Sequence, residues 1–381
     1  MRPAALAAGL LLIVLYGSLY PFRFEASHHT AGALRALLAT WRSLDSRGDL
    51  LANILLYVPL GFFSTQALGH RPRSLRVLLV AFPAFLLSFT IELLQQYDVH
   101  RLSQMSDVYG NSAGAFLGAL AGVSLPCAGK RREAGWIEWR PFVLLLVGCW
   151  VGYRLFPYLP SLEIHKYQDA LRPLFEISPM QFSDLYEQTA GWLAVAMMLD
   201  ALFGTIRGRI ALLIMIAAVL LGRVLIMGIV LSREELTGAL LAVVLWTVVL
   251  SHMRVRALVV LVLFMVMIGV EALEPFQFHA AAIPFGWIPF RSFINAPRGG
   301  ATRVFFEKAF WYGALVWLMI QAGAGWKPAT ASSALLVLAL RIAQTHLPGR
   351  SAEVTDAVMV VMLAGVMKLM DEQPAQAVTT P

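Results

Sequence analysis

Two polar residues inside an apolar stretch are the first candidates for chemistry. Glu92 and Gln95 are three positions apart, so they fall on one face of a helix. An ionisable side chain within a membrane span is costly and usually points into the bundle, toward a partner or water. One interpretation makes Glu92 an acid/base or cation site with Asp107 and His100 nearby. The other makes it half of an ion pair with Arg101 or Arg341 that fixes helix positions.

A second polar group begins the next apolar stretch. Asp107 can cap a helix, because its carboxylate accepts hydrogen bonds from the exposed backbone N–H groups at a helix start. Asn111 lies one turn further on, on the same side. In the alternative interpretation these two residues and Asn53 form a polar pocket for a headgroup. Arg101 would then hold a phosphate or carboxylate through paired hydrogen bonds.

Other chemistries find little support in the sequence. It has no HExxH motif, no paired-histidine spacing and no GxSxG motif. We therefore predict no catalytic residue, no metal site and no cofactor, with a cation held by Asp98, His100 and Asp107 as an alternative. The two cysteines, Cys127 and Cys149, show no redox or metal-binding spacing.

These residues lie in a very apolar chain. Of 381 residues, 59% are hydrophobic and 14% are charged, against about 45–50% and about 25% in soluble proteins. This excludes a cytosolic enzyme, and a bilayer core of about 30 Å needs roughly 17–25 apolar residues per helix. The sequence predicts an all-α, polytopic transmembrane bundle of about twelve spans. They are 4–20, 50–67, 77–97, 106–126, 141–158, 186–204, 210–231, 235–252, 257–274, 304–323, 329–345 and 353–370.

The basic residues predict the orientation. The five short loops that follow every second predicted span contain 12 basic and 2 acidic residues together, and the whole chain has a net charge of +7. Short loops that are rich in Lys and Arg usually face the cytoplasm. We therefore predict a multi-pass protein of the bacterial cytoplasmic (inner) membrane with both termini inside. Three longer segments, near 21–49, 159–185 and 275–303, then face outward. The positive charge marks topology, so we predict no nucleic-acid partner.

A hidden repeat relates the two ends of the chain. Glu92, Gln95, Arg101 and Asp107 recur as Arg341, Gln344, Arg350 and Asp356 at a constant offset of 249 residues. In a more divergent copy Arg223 stands at the place of Glu92, and Arg233 follows after ten residues where the other copies have nine. The residues Glu234, Glu235 and Gly238 then replace the longer loop. We predict three four-helix units, at residues 1–133, 134–253 and 254–381.

A stripe of glycines indicates close helix packing. Gly110, Gly114, Gly118 and Gly122 recur every four residues. Small residues at this spacing let transmembrane helices approach closely, and we predict that packing is their role.

The first unit resembles the VanZ-like family of small helical membrane domains, which is named for a teicoplanin-resistance protein. Residues 49–63 read DLLANILLYVPLGFF and residues 91–96 read IELLQQ, matching a pattern of Asn-x5-Pro-x-Gly followed by Glu-x-x-Gln. An Arg and Asp-x3-Asn-x2-Gly complete the pattern. The family's characteristic positions correspond here to Asn53, Pro59, Gly61, Glu92, Gln95, Arg101, Asp107, Asn111 and Gly114.

The last unit is a divergent version of the same pattern. The segment IPFRSF at 288–293 fits it, as do Gln344 and Asp356, whereas Arg341 replaces the Glu and Val360 replaces the Asn. Lys308 falls near the place of Asn53. Only the first unit contains the full set of polar residues.

The resemblance and the polar residues together predict a protein that binds membrane lipids and a lipid-linked envelope precursor at the outer face. Such binding would affect resistance to glycopeptide antibiotics. The alternatives are a secondary transporter, an intramembrane enzyme with Glu92 as its base, and a structural partner in an envelope polysaccharide or export assembly. The sequence sets no oligomeric state.

Overall fold

The computed structural model describes most of the chain. The described residues are 3–20, 22, 24, 32–42, 47–69, 71–98, 103–124, 140–176, 179–295, 298–349 and 351–371. The side chains of 47–49, 294, 295, 298, 299 and 371 are outside the description. Four residues named above, His100, Arg101, Cys127 and Arg350, lie outside it too.

The described residues form an all-helical fold without a strand. Twelve of the α-helices overlap the twelve apolar stretches of the sequence. The other three, α2, α7 and α12, lie in the predicted outer segments. The helices are α1 Pro3–Leu19, α2 Ala33–Ala39, α3 Arg47–Ala67, α4 Arg73–Gln95, α5 Met105–Ser124, α6 Pro141–Arg154, α7 Ile164–Phe175, α8 Phe182–Phe203, α9 Thr205–Leu225, α10 Arg233–Val244, α11 Arg256–Leu273, α12 Arg291–Asn295, α13 Arg298–Gln321, α14 Trp326–Ala343 and α15 Thr355–Asp371. A π-helical turn and a 3₁₀ turn extend α10 to His252.

Five of these helices are long and apolar enough to cross a membrane. They are Leu50–Ala67, Arg73–Gln95, Thr205–Leu225, Arg233–His252 and Arg256–Leu273. Two further apolar helices, α1 and α6, are shorter. The all-helical class is confirmed, whereas the count of twelve spans in three repeats stays a prediction.

The N-terminal unit contains residues 1–133 together with 294–300 and 368–381. Within it, α3 packs along α5, α4 packs on α5, and α1 packs on α3 and α4. Val14, Tyr57, Ile91 and Ala115 meet in its core. The apolar faces of four helices therefore enclose one common core, as in other helical bundles.

Glycines bring α3 and α5 into backbone contact. A Cβ atom on Gly114 would overlap the carbonyl oxygen of Ile54, and one on Gly118 would overlap that of Val58. On the other helix, a Cβ atom on Gly61 would overlap the carbonyl oxygen of Ala115. These positions have room only for hydrogen, because the two backbones touch there.

The second unit contains residues 134–293 and 301–367. Its central element is α8, which packs against α6, α9, α10 and α11. Every residue of α8 from Thr189 to Asp200 is buried. The sequence makes this stretch the least apolar of the twelve, and the structure surrounds it with other helices.

Three helices end in the same local structure. A Pro-aromatic pair follows α1, α6 and α11, and the aromatic residue has φ of 60° at Phe22, 61° at Tyr158 and 60° at Phe276. Each of these aromatic residues donates its N–H to the carbonyl three residues earlier, at 2.8, 2.9 and 2.7 Å. A positive φ is uncommon for residues other than glycine. The turn shortens the span expected at 141–158, because the helix must end before Pro157.

Candidate functional site

A layer of buried polar side chains lies at one end of the N-terminal unit. We call it the polar layer: Asn53 of α3, Ser88, Glu92 and Gln95 of α4, and Asp107 and Asn111 of α5. Asn53 is half-buried, and the other five are at most 6% exposed. The spacings of four and three residues along α4, and of four along α5, turn these side chains toward the bundle interior.

Two hydrogen bonds connect helices within the polar layer. The Asn53 amide nitrogen donates to Asp107 Oδ1 at 2.6 Å. The Asn111 amide nitrogen donates to the Ser88 hydroxyl at 3.0 Å. Both bonds join α5 to a neighbouring helix, so the layer fixes how α5 sits against α3 and α4.

Glu92 holds the connection from α4 to α5. Its Oε2 accepts from the backbone N–H of Gln104 at 3.1 Å, and its backbone carbonyl accepts from the Ser103 hydroxyl at 2.6 Å. The next N–H, that of Met105, is accepted by Thr40 Oγ1 at 2.9 Å. Glu92 and Thr40 thus accept the N–H groups of Gln104 and Met105 at the start of α5, and Asp107 accepts from Asn53.

Gln95 joins the ends of two helices. Its amide nitrogen donates to the carbonyl of Ser18 at 2.8 Å. The last carbonyls of a helix lack partners within that helix, and Ser18 is the second-last residue of α1. This bond fixes the end of α4 beside the end of α1, so the polar layer adjoins the connections rather than the middle of the bundle.

The structure thus gathers five of the six residues in which the sequence predicts a ligand site, and the sixth, Arg101, lies outside the described residues. Sequence reasoning did not single out Ser88, Ser103 or Thr40. Serine and threonine are common within apolar helices, and only the separation of four residues between Ser88 and Glu92 signals a shared face.

The second unit contains a buried ion-pair cluster around Glu235, at the start of α10. Arg154 Nη2 lies 2.5 Å from Glu235 Oε1, and the Arg223 guanidinium pairs with the other carboxylate oxygen. Arg223 also donates to the backbone carbonyl of Arg154 at 3.3 Å, and Arg154 donates to Gln188 at 2.5 Å. The sequence analysis singled out Arg223 and Glu235 but not Arg154. Arg154 is the last residue of an apolar helix, and a charged residue in that position is the signal that could have identified it.

A similar cluster surrounds Asp356, at the start of α15. Lys308 Nζ lies 2.7 Å from Asp356 Oδ1, and the Arg341 guanidinium pairs with Asp356 Oδ2. Arg341 also donates to Gln344 Oε1 at 2.5 Å and to the Tyr312 hydroxyl at 3.1 Å. Arg341, which the sequence offers as a partner for Glu92, therefore has its ion-pair partner within its own unit.

Gln344 repeats the behaviour of Gln95. Its amide nitrogen donates to the carbonyl of Ala272 at 2.7 Å, and Ala272 is the second-last residue of α11. Of the four residues predicted as pseudo-equivalents in the last unit, Arg341, Gln344 and Asp356 are thus in contact, and Arg350 is outside the described residues.

Within the described part of the chain, no three His, Cys, Asp or Glu side chains are placed to hold a metal ion. Cys149 is buried. The polar layer contributes two carboxylates, three amides and the Ser88 hydroxyl, which can form hydrogen bonds and provide charge.

The helices and the polar layer define a membrane-embedded helical bundle with hydrogen-bonding groups at one end. Residues 5–125 match the model of the VanZ/LLP1 family, and this range includes α1, α3, α4 and α5 with the whole polar layer. The N-terminal region is thus similar to the VanZ/LLP1 family, and this match together with the apolar helices supports a membrane protein. No curated protein and no solved structure matches the chain. The relation of the last unit to this family stays a prediction.

Proposed function

We propose that the polar layer binds the headgroup of a lipid-linked cell-envelope component at the outer face of the bacterial cytoplasmic membrane, and that this binding affects resistance to glycopeptide antibiotics. The observation that supports this best is the position of the layer. Buried carboxylates and amides are gathered at one end of a bundle of apolar helices, where lipid headgroups lie. Such residues are costly in a membrane and usually have a function.

Two buried amide oxygens favour a ligand that donates hydrogen bonds. Gln95 Oε1 and Asn111 Oδ1 have no hydrogen-bond partner among the described residues. An unsatisfied buried acceptor costs about 1–3 kcal/mol, which a hydroxyl or amide of a bound ligand would recover. Saccharide and peptide groups provide such donors. Arg101, four residues before Met105 at the start of α5, is the group we assign to a phosphate of the same ligand.

The opposite end of the domain supports the proposed orientation. Arg76, in the first turn of α4, donates to the carbonyl of Thr65 at 3.1 and 2.9 Å. Arg73 begins α4, and Arg71 lies in the connection between α3 and α4. Cytoplasmic loops are rich in Lys and Arg. We therefore propose that this end faces the cytoplasm and that the polar layer faces outward.

We also propose that the chain evolved from three related units. In each proposed unit the first long helix ends in the Pro-aromatic turn, and a side chain at or directly after the end of the third long helix reaches a carbonyl at the end of the first. These side chains are Gln95, Arg223 and Gln344, which reach Ser18, Arg154 and Ala272. The shared contacts support a common origin, in which the later copies replaced neutral groups by ion pairs.

A structural partner in an envelope assembly is the second candidate. It is favoured by the contacts of Glu92, whose carboxylate holds the connection before α5. In this candidate function the polar layer determines helix positions and takes no ligand.

Lipids that co-purify with the protein distinguish these two functions. We expect native mass spectrometry of the detergent-extracted protein to show a bound lipid-linked species that is lost in Arg101→Ala and reduced in Asn111→Ala. The reason is that the first change removes the phosphate contact and the second removes an amide acceptor. Arg76→Ala, at the opposite end of the same domain, is the matched control and should retain the lipid.

The same variants can be compared for teicoplanin tolerance. Cells that produce the wild type or Arg76→Ala should tolerate more antibiotic than cells with Arg101→Ala. Identical lipid profiles in all four proteins would refute headgroup binding. Loss of tolerance in that case would support the structural function instead.

Residue accessibility tests the orientation. In a variant without Cys127 and Cys149, a membrane-impermeant maleimide applied to spheroplasts should label Leu162→Cys but not Ile206→Cys. Both side chains are exposed, by 92% and 76%, but the first lies before α7, outside by our assignment, and the second begins α9, inside. Ile206→Cys should be labelled once the membrane is permeabilised. Labelling in the reverse order would overturn the assignment.

A further inference from the structure

We propose that the second unit contains a binding site for the phosphate group of an anionic phospholipid, formed by two arginines from different helices. Arg209 lies near the start of α9, and Arg256 is the first residue of α11. Both converge on Ser251, in the turn that extends α10. Arg209 Nη2 donates to the Ser251 hydroxyl at 2.8 Å, and Arg256 Nη1 donates to the Ser251 carbonyl at 3.4 Å. This inference does not depend on the function proposed for the polar layer.

The two arginines share one buried carboxylate. Asp200, near the end of α8, has a side chain that is 3% exposed and lies 3.4 Å from Arg256 Nη1. Arg209 attracts the same carboxylate. Asp200 is the only acidic residue in the range 188–233, and the range 236–270 contains none. Two cations thus face one anion, which leaves one surplus positive charge at this end of the unit.

Neighbouring elements do not balance this charge. The helices α6 and α14, which pack on α8, α9 and α11, contain no acidic residue. The other acidic residues of α8, α10 and α11 lie at the opposite ends of those helices. Arg254, which is exposed, lies two residues before Arg256 and adds a further positive charge.

Most of the hydrogen-bond donors of the two arginines remain available. A guanidinium has five N–H donors. In the hydrogen bonds that the described residues form, Arg209 uses only Nη2 and Arg256 only Nη1. The Arg256 side chain is 37% exposed, so a ligand can reach it. Because Ser251 and Asp200 orient these groups in advance, a phosphate that matches the planar guanidinium would bind with little loss of entropy.

Two helix starts add to the attraction. The first turns of α9 and α11 contain no acidic residue, and neither helix has a side-chain cap at its start. The first N–H groups of a helix lack partners within that helix and attract phosphate groups, together with the helix dipole. The arginines therefore lie where the backbone also favours an anion.

The surroundings of the arginines favour a lipid over a soluble phosphate. The helices α9, α10 with its extension, and α11 are all long and apolar enough to cross a membrane, and the arginines lie at their ends, where headgroups lie. Leu213 is one turn beyond Arg209 on the same face, and Leu258 is in the first turn of α11; both are exposed. Acyl chains would cover these side chains. Basic pockets between membrane helices commonly bind anionic headgroups on the cytoplasmic side, to which we assign this end.

The test compares lipids on the purified full chain in detergent, by thermal shift and native mass spectrometry. The probes are dioleoyl-phosphatidylglycerol, dioleoyl-phosphatidylcholine, which has the same acyl chains and no net charge, and inorganic phosphate. We expect phosphatidylglycerol to raise the unfolding midpoint in a saturable manner and to stay bound at concentrations where the other two probes do neither. Equal effects of the two lipids would overturn the proposal, and so would an effect of inorganic phosphate alone.

Two variants locate the binding. Arg209→Gln and Arg256→Gln each remove one guanidinium and leave the other as a counter-ion for Asp200. Each should weaken the binding of phosphatidylglycerol about tenfold, and either one suffices as a test if the other fails to fold.

Arg71→Gln is the matched control. It removes an exposed arginine from a short loop of the N-terminal unit that we also assign to the cytoplasmic side, so it changes the net charge equally. This variant should bind phosphatidylglycerol as the wild type does. If it weakened binding as much as Arg256→Gln, or if neither variant of the two arginines changed the affinity, general surface charge would account for the attraction and the proposed site would be refuted.

Discussion

A single added methyl group at Gly118 is expected to disrupt the N-terminal unit. The Cβ atom of Gly118→Ala would overlap the backbone carbonyl of Val58 and would lie 2.9 Å from the backbone nitrogen of Phe62. No side chain can rotate away, because the obstructing atoms belong to the backbone of α3. The two helices would have to separate along their main contact. Overpacking costs about 1–3 kcal/mol when side chains can adjust, and we expect a larger loss here.

The measurement is the yield of monodisperse protein after detergent extraction, together with the midpoint of thermal unfolding. Gly9→Ala is the matched control, because a Cβ atom on Gly9 of α1 meets nothing within 4 Å. It also changes glycine to alanine within a helix of the same unit, so it reproduces the gain in helix propensity. Equal yields and midpoints for Gly118→Ala and the wild type would show that α3 and α5 are not in backbone contact.

Helix positions could be predicted from the sequence for a simple physical reason. Apolar stretches of bilayer length appear as helices in any membrane protein, since backbone polar groups must be satisfied within the segment. Helix ends were less predictable. The end of α6 depends on the turn at Phe156–Tyr158, and the positive φ of Tyr158 is not evident in a stretch that continues to be apolar.

Five of the six members of the polar layer were predictable, all except Ser88, but the hydrogen-bond partners were not. Asn53 and Asp107 are separated by 54 positions, and no local pattern sets which helix faces which. The sequence suggests that Asp107 caps its own helix, because a first-turn carboxylate commonly does. In the structure Glu92 and Thr40 accept the N–H groups of Gln104 and Met105, through a connection whose geometry residue spacing does not reveal.

In the ion-pair clusters, too, the sequence indicated some of the residues but not all of their partners. Lys308 falls near the place of Asn53 in the predicted repeat, and it pairs with Asp356 as Asn53 pairs with Asp107. The constant offset of 249 residues maps Asn53 to Thr302, so the pattern indicated the neighbourhood of Lys308 and not the residue itself. Arg154 has no counterpart in the motif, so only the three-dimensional arrangement of α6, α9 and α10 reveals it as a partner of Glu235.

Neutralising Glu235 is expected to destabilise the second unit strongly. Glu235 is 2% exposed and pairs with two guanidinium groups, those of Arg154 and Arg223, which are 6% and 19% exposed. Glu235→Gln keeps the shape and one oxygen acceptor but leaves two cations buried side by side. Breaking a buried pair by removing one partner costs about 3–5 kcal/mol. We expect the midpoint of thermal unfolding in detergent to fall well below that of the wild type.

The exposed pair of Arg172 and Glu176 provides the comparison, because its side chains are 75% and 55% exposed. Arg172→Gln should change stability by no more than about 1 kcal/mol, as surface pairs do. The loss in Glu235→Gln comes from uncompensated charge, so adding Arg223→Gln should raise the midpoint again by removing one of the two cations. If the double variant were less stable than Glu235→Gln, repulsion between Arg154 and Arg223 would not be the cause. Hydrogen bonds from Arg223 to the carbonyls of Arg154 and Val230 would then account for most of the stability of this cluster.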